Sequence, residues 1–155
     1  GVPFLPYETY GRSPLENSSF LVSSANFNEK IHGKGFVARL SGSTAEFLQM
    51  WELMMNGEKL FTMQDGTLTF KLAPAIPAYL VKDDGKVETT LFGKIKVVYD
   101  CGSKRDLIPG QYAVTKYELV AADGSIESCE AATVSGEAAQ RIRDGKVAEI
   151  RVTIQ

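Results

Sequence analysis

Residues 41–43, Ser41-Gly42-Ser43, place two hydroxyls and a glycine directly ahead of an apolar, helix-like run. Free backbone N–H groups and the positive end of a helix dipole at such an entrance suit an anion, phosphate above all. Capping is the other use of the same residues. Ser43 with Glu46 three positions on makes a capping-box pattern, in which hydroxyl and carboxylate each satisfy a free N–H. Lys34, between glycines, and Arg39 could lend positive charge to an anion held there, although most lysines and arginines are simply solvated.

The other reactive side chains form no self-sufficient active site. His32, the single histidine, has no further Cys or His nearby in sequence to make a metal site, and no G-x-S-x-G nucleophile motif accompanies it. Its Ile-His-Gly-Lys-Gly setting reads as a surface loop. A glycosidase needs two carboxylates roughly 5 to 9.5 Å apart across a sugar. Glu8, Glu16, Glu46 and Glu52 are available, but nothing in their spacing pairs any two. Tyr7, Tyr10, Trp51, Tyr79 and Tyr99 could stack on sugar rings; Trp51 lies on an apolar stripe, where core packing is the commoner role.

The element that must position Ser41-Gly42-Ser43 is the helix behind them. Phe47, Leu48, Trp51, Met54 and Met55 recur at helical spacing and predict one apolar face. Gln49, Glu52 and Asn56 fall opposite, and Gly57 is placed to end the helix in a left-handed turn. Met50 and Leu53 lie off the stripe, so the helix is expected to have neighbours on more than one side.

Residues 1–35 show no periodicity, and Pro3, Pro6 and Pro14 discourage helix. Only Phe20-Leu21-Val22 suggests a short extended piece. Irregular stretches longer than roughly 15 residues are usually functional or dependent on something else, so the segment reads as a strap laid against a larger body. After Gly57 the period changes from 3.6 to 2. Strands are predicted at 60–62, 67–72, 78–82, 87–91, 94–99, 112–121, 125–129 and 147–154, with a brief helix at 137–143 opened by Ser135. Turns fall at Gln64-Asp65-Gly66, Asp83-Asp84-Gly85 and Ala122-Asp123-Gly124, and Gly93 marks a bulge or bend. Short strands at this spacing predict a mainly β chain, an antiparallel β-sandwich or jelly roll. The division is then 1–57, strap and helix, and 58–155, the sandwich.

A chain of 155 residues can bury a core without disulfides or metal. Its 44% apolar and 23% charged residues are those of a soluble globular protein, and a net charge of −2 with mixed signs gives no footprint for nucleic acid or anionic membrane. No apolar run approaches the roughly 20 residues that span a bilayer, and the N-terminus lacks a signal peptide's pattern. Gly1 reads as a cut boundary, so a targeting segment could lie upstream. Cys101 and Cys129 match no metal or redox spacing and are expected as free thiols. Asn17-Ser18-Ser19 is formally a glycosylation sequon, with meaning only in a secreted eukaryotic protein.

From Gly33 through Pro77 the sequence resembles the C-terminal part of the cellobiose phosphorylase family, inverting glycoside phosphorylases with an (α/α)6-barrel catalytic domain. Leu40-Ser41-Gly42-Ser43-Thr44-Ala45 resembles the family's L-T-G-T-A-A segment, which opens the last barrel helix. Asp65-Gly66-Thr67-Leu68 occupies the place of its D-G-L hairpin, Pro74-Ala75-Ile76-Pro77 that of its P-x-I-P element, and Leu91 to Val97 resembles a later strand pair. Glu46 stands where the family often has tryptophan, and serine replaces its threonine at Ser41.

The resemblance implies a C-terminal, non-catalytic fragment of a phosphorylase or hydrolase acting on β-linked gluco-oligosaccharides. Ser41, Gly42 and Ser43 would contact inorganic phosphate, the co-substrate, or sugar, and no other cofactor or metal is implied. The catalytic aspartate would lie in the barrel, outside this chain. The implied partners are the rest of that barrel and the oligosaccharide, with association between copies through the uncovered helix, in the cytoplasm. The competing readings are a stand-alone carbohydrate-binding sandwich, with Tyr79, Tyr99, Tyr112 and Tyr117 as stacking candidates, and a purely structural module.

Overall fold

A computed structural model describes residues 20–33, 35–36 and 41–155, with side chains from 22 to 33 and from 45 onward. The chain divides into two compact units, Gly1–Met50 and Trp51–Gln155, the division falling inside one helix. Asn17 and its sequon, Lys34, Arg39, Glu8, Glu16, Tyr7 and Tyr10 lie outside the described residues.

In the first unit β1 (Phe20–Leu21) pairs antiparallel with β2 (Gly35–Phe36), which realises the short extended piece at Phe20-Leu21. Helix α1 (Ser41–Asn56) follows. It starts at Ser41, so Ser43 lies within the first turn and not at a cap ahead of it. Its end is as expected: Gly57 takes φ +95°, a left-handed conformation that costs glycine nothing.

The second unit is mainly β. The hairpin β3 (Phe61–Gln64) and β4 (Thr67–Phe70) turns on Asp65-Gly66, both at positive φ, and β4 also pairs with the two-residue β9 (Val134–Ser135). The second sheet has five strands in the order β5-β6-β10-β7-β8. These are β5 (Lys86–Leu91), β6 (Ile95–Asp100), β7 (Val114–Val120), β8 (Ile126–Cys129) and β10 (Glu149–Ile154). Strict alternation explains its two faces. Val87, Leu91, Ile95, Val97, Tyr99, Tyr117, Leu119, Ile150, Val152 and Ile154 are buried, while Glu88, Lys96 and Arg151 are exposed on the other side. Ion pairs cover that outer face, with Glu88 between Lys82 and Lys96, and Lys116 between Glu118 and Glu130. The buried face packs with Phe70, Leu72 and Val134 of the smaller sheet's side, and with Ala139 and Ile142 of α2 (Glu137–Arg143), in one core. This is compatible with a β-sandwich.

Three expectations fail. The five-stranded sheet is mixed, because β10 lies between β6 and β7, parallel to β6 and antiparallel to β7. β6 and β7 run in opposite directions, so a strand placed between them is antiparallel to only one of the two. Residues 78–82 form no strand: Ala78–Leu80 is a 3-10 turn after Pro77, held by the Asp106 carboxylate, which accepts from the Ala78 N–H at 2.6 Å. Ser135, predicted to open α2, belongs to β9, and Gly136 stands at the helix cap instead.

Candidate functional site

The last four carbonyls of α1 have no partners within a helix and must find them elsewhere. Gly57 N–H donates to Leu53 O at 2.9 Å, Ala75 N–H to Met54 O at 2.7 Å and Ala73 N–H to Asn56 O at 3.0 Å. The fourth, Met55 O, accepts from the hydroxyl of Tyr99 on β6 at 2.8 Å. Residues 71–75 and the five-stranded sheet therefore fix the helix by its final turn. Met55 is buried in the common core, Met54 is half-buried, and Asn56 donates to Glu52 at 2.8 Å.

Two more tyrosines do related work on the segment after β4. Tyr117 Oη accepts from Leu72 N–H at 3.0 Å, and Tyr112 Oη donates to Pro74 O at 2.7 Å. Burial pushes all three phenols up, that of Tyr117 to about 12, because a phenolate there would lose its hydration. Tyr99 and Tyr117 are fully buried, so the stacking platform proposed for Tyr79, Tyr99, Tyr112 and Tyr117 does not form; only Tyr79 is exposed. Their phase was the available signal, since Tyr99 alternates with Ile95 and Val97.

Upstream of its last turn the apolar side of α1 is open. Phe47 is 62% exposed, Leu48 59%, and Met50, Trp51 and Leu53 are exposed as well. Of the predicted stripe only Met55 is buried, with Met54 beside it. The helix carries Glu46 and Glu52 and no cation between 45 and 56. Ser41, Gly42 and Ser43 stand together in its first turn, while their side chains lie outside the described residues.

His32 is half-buried, its Nε2 2.7 Å from Asn26 O, so it belongs to the stitching of its own loop. Cys101 is buried and Cys129 half-buried, both free, and burial raises the Cys101 thiol to about 11. Among the described residues no group of His, Cys, Asp and Glu could hold a metal ion, and no helix is long and apolar enough to cross a membrane. No family model, curated protein or solved structure matches the chain.

Proposed function

We propose that the chain is the C-terminal, non-catalytic region of a cellobiose phosphorylase-like glycoside phosphorylase or hydrolase acting on β-linked gluco-oligosaccharides. In this reading α1 is the last helix of an (α/α)6 barrel. Ser41, Gly42 and Ser43 at its start face phosphate or sugar, and the β domain fixes the helix from its other end. Phosphate would be a co-substrate, the catalytic acid would come from the barrel, and the location would be cytoplasmic.

One observation supports the reading above the others. Phe47, Leu48, Met50, Trp51 and Leu53 are all exposed on a helix whose final turn is held at every carbonyl. A contiguous apolar surface of this kind is a mark of an interface. A helix apolar over most of its circumference is one made to be buried among other elements. The alternative of a stand-alone carbohydrate-binding sandwich loses its aromatic platform with the burial of Tyr99 and Tyr117.

The test is the complete reading frame, expressed and assayed for phosphate-dependent cleavage of cellobiose-type substrates. The reading expects glucose 1-phosphate or glucose release by the complete protein and none by residues 1–155. Ser41→Ala should raise the phosphate KM with a smaller effect on the saccharide KM. A reading frame without a several-hundred-residue helical region ahead of Gly1 overturns the proposal.

A further inference from the structure

β3 and β9 are the outer strands of the smaller sheet, β5 and β8 those of the larger one. An outer strand presents unpaired N–H and C=O groups to any neighbouring chain, and proteins guard such edges with charge or by keeping them short. Here β5 carries Lys86 and Glu88, β8 carries Glu127, which Arg141 pairs, and β9 has only two residues. β3, Phe-Thr-Met-Gln, has neither charge nor proline. It is the unguarded edge.

The register fixes which of its backbone groups are spare. Lys71 N–H donates to Leu60 O at 2.9 Å, so Leu60, and with it Thr62 and Gln64, turn their backbone groups toward β4. Those of Phe61 and Met63 point the other way, off the edge, and have no partner among the described residues. Phe61 and Met63 also share one face, with Phe70 and Leu68 opposite them, while Thr62 stands on the other face. Met63 is 64% exposed, so this apolar face runs past the core.

These features select a second copy of the same strand. Set antiparallel about a two-fold axis at Thr62, Phe61 faces the partner's Met63, and Met63 the partner's Phe61. All the spare N–H and C=O groups then bond. Thr62 lies opposite the partner's Thr62, a favourable cross-strand pair. The same register carried outward sets Lys59 opposite the partner's Asp65, at both ends of the pairing. Neither residue is in an ion pair among the described residues. An unrelated strand would satisfy the hydrogen bonds without matching these charges.

We propose that β3 is a dimerisation edge, joining the smaller sheets of two copies of this chain into one continuous antiparallel sheet. The inference uses the β domain alone and does not rest on the function proposed above. Sedimentation equilibrium of the whole chain tests it, with a monomer–dimer equilibrium expected below about 1 mM. Met63→Pro removes an N–H that β4 does not use, so the hairpin stays and the dimer should weaken about tenfold or more. Lys59→Glu sets like charges opposite each other and should weaken it by a smaller factor. In a Cys129→Ser background Thr62→Cys should cross-link two copies on mild oxidation. Residues opposed in a non-hydrogen-bonded pair stand about 4.5 Å apart, within disulfide reach. Thr90→Cys on β5 should not cross-link. A monomer at every concentration, a dimer that tolerates both Met63→Pro and Lys59→Glu, or equal cross-linking through Thr90→Cys overturns the proposal. So does a dimer that Leu48→Lys abolishes and Met63→Pro spares, since that contact lies on α1. Should Met63→Pro fail to fold, Lys59→Glu and the cross-link decide.

Discussion

Tyr99 and Met55 meet across 44 residues of sequence, the phenolic hydroxyl donating to the helix carbonyl at 2.8 Å in a fully buried setting. The contact is the only side-chain bond among those that satisfy the last four carbonyls of α1, the others being backbone N–H groups. It therefore can be removed without moving the chain. Tyr99→Phe keeps the ring and leaves Met55 O buried without a donor. That should cost about 1–3 kcal/mol, the penalty for an orphaned buried acceptor. Urea unfolding measures the loss. Amide exchange should accelerate selectively in the last turn of α1, with Trp51, the sole tryptophan, as a fluorescence reporter in the same helix. Unchanged stability would mean that the Met55 carbonyl has found another donor.

The two ends of the apolar run in α1 should respond oppositely to substitution. Met55→Ala empties a site in the core and should cost about 2–5 kcal/mol. Leu48→Lys alters an exposed position and should shift the stability of the isolated chain by less than about 0.5 kcal/mol. If the helix packs in a barrel as proposed, the ranking should change in the complete protein, with Leu48→Lys becoming strongly destabilising as its charge is buried. Thermal melts of both variants in both forms check the contrast. A Leu48→Lys variant as stable as the parent in the complete protein removes the argument that this helix face is covered.

Much of the β domain was legible because its sheets bury one face. Alternation at Ile95-Val97-Tyr99 and Ile150-Val152-Ile154 placed both strands, and Gly57 marked the helix end. What alternation does not encode is the neighbour. The parallel pairing of β10 with β6 depends on residues some fifty positions apart, and nothing local distinguishes it from an antiparallel partner. The 3-10 turn at Ala78–Leu80 escaped for a similar reason, since the Asp106 carboxylate that holds it is 28 residues away. β9, with two residues, is too short to show a period. By residue type alone Tyr79, Tyr99, Tyr112 and Tyr117 are candidates for a sugar platform, since an aromatic with a polar tip fits both core and platform; the phase that Tyr99 shares with its buried neighbours decides for the core. At the candidate site the serine-glycine pattern was visible in sequence. The openness of the helix behind it was not, because an apolar stripe reads the same whether its partner lies in the chain or elsewhere.

Alkaline titration should unfold the β domain. Cys101 is raised to about 11 and Tyr117 to about 12, with Tyr99 and Tyr112 also raised, all chiefly by burial. A group whose folded pKa is raised contributes stability that is whole below its unfolded pKa and lost as pH rises toward the folded value. The unfolded chain releases these protons first, from about pH 8.5 for the thiol and about 10 for the phenols. Stability should therefore be flat up to about pH 8.5 and fall between there and about pH 12. Ionisation of Tyr99, Tyr112 and Tyr117 should accompany loss of the folded signal and not precede it. Ionisation of Tyr99, Tyr112 or Tyr117 while the β domain is still folded overturns the prediction.

Phe92 at the tip of the β5–β6 hairpin has φ +53°, a conformation bulky side chains rarely adopt. Its ring, half exposed, stacks on Phe61 with centroids 6.2 Å apart, and Phe61 in turn lies 5.1 Å from Phe70 in the core. Strain and stacking are of similar size and opposite sign, about 1–2 kcal/mol for the left-handed backbone and about 0.5–1.5 kcal/mol for the aromatic pair. The two can be separated by substitution. Phe92→Ala loses the ring and keeps most of the backbone penalty, whereas Phe92→Gly loses the ring and relieves it. Glycine should therefore be the more stable replacement by about 1 kcal/mol, although glycine's greater freedom when unfolded offsets part of the gain. Phe92→Tyr should match the parent, since it preserves the stack. Denaturant midpoints of the three variants decide the matter, and an alanine variant more stable than the glycine one would show that the hairpin tip relaxes out of the left-handed region once the ring is gone.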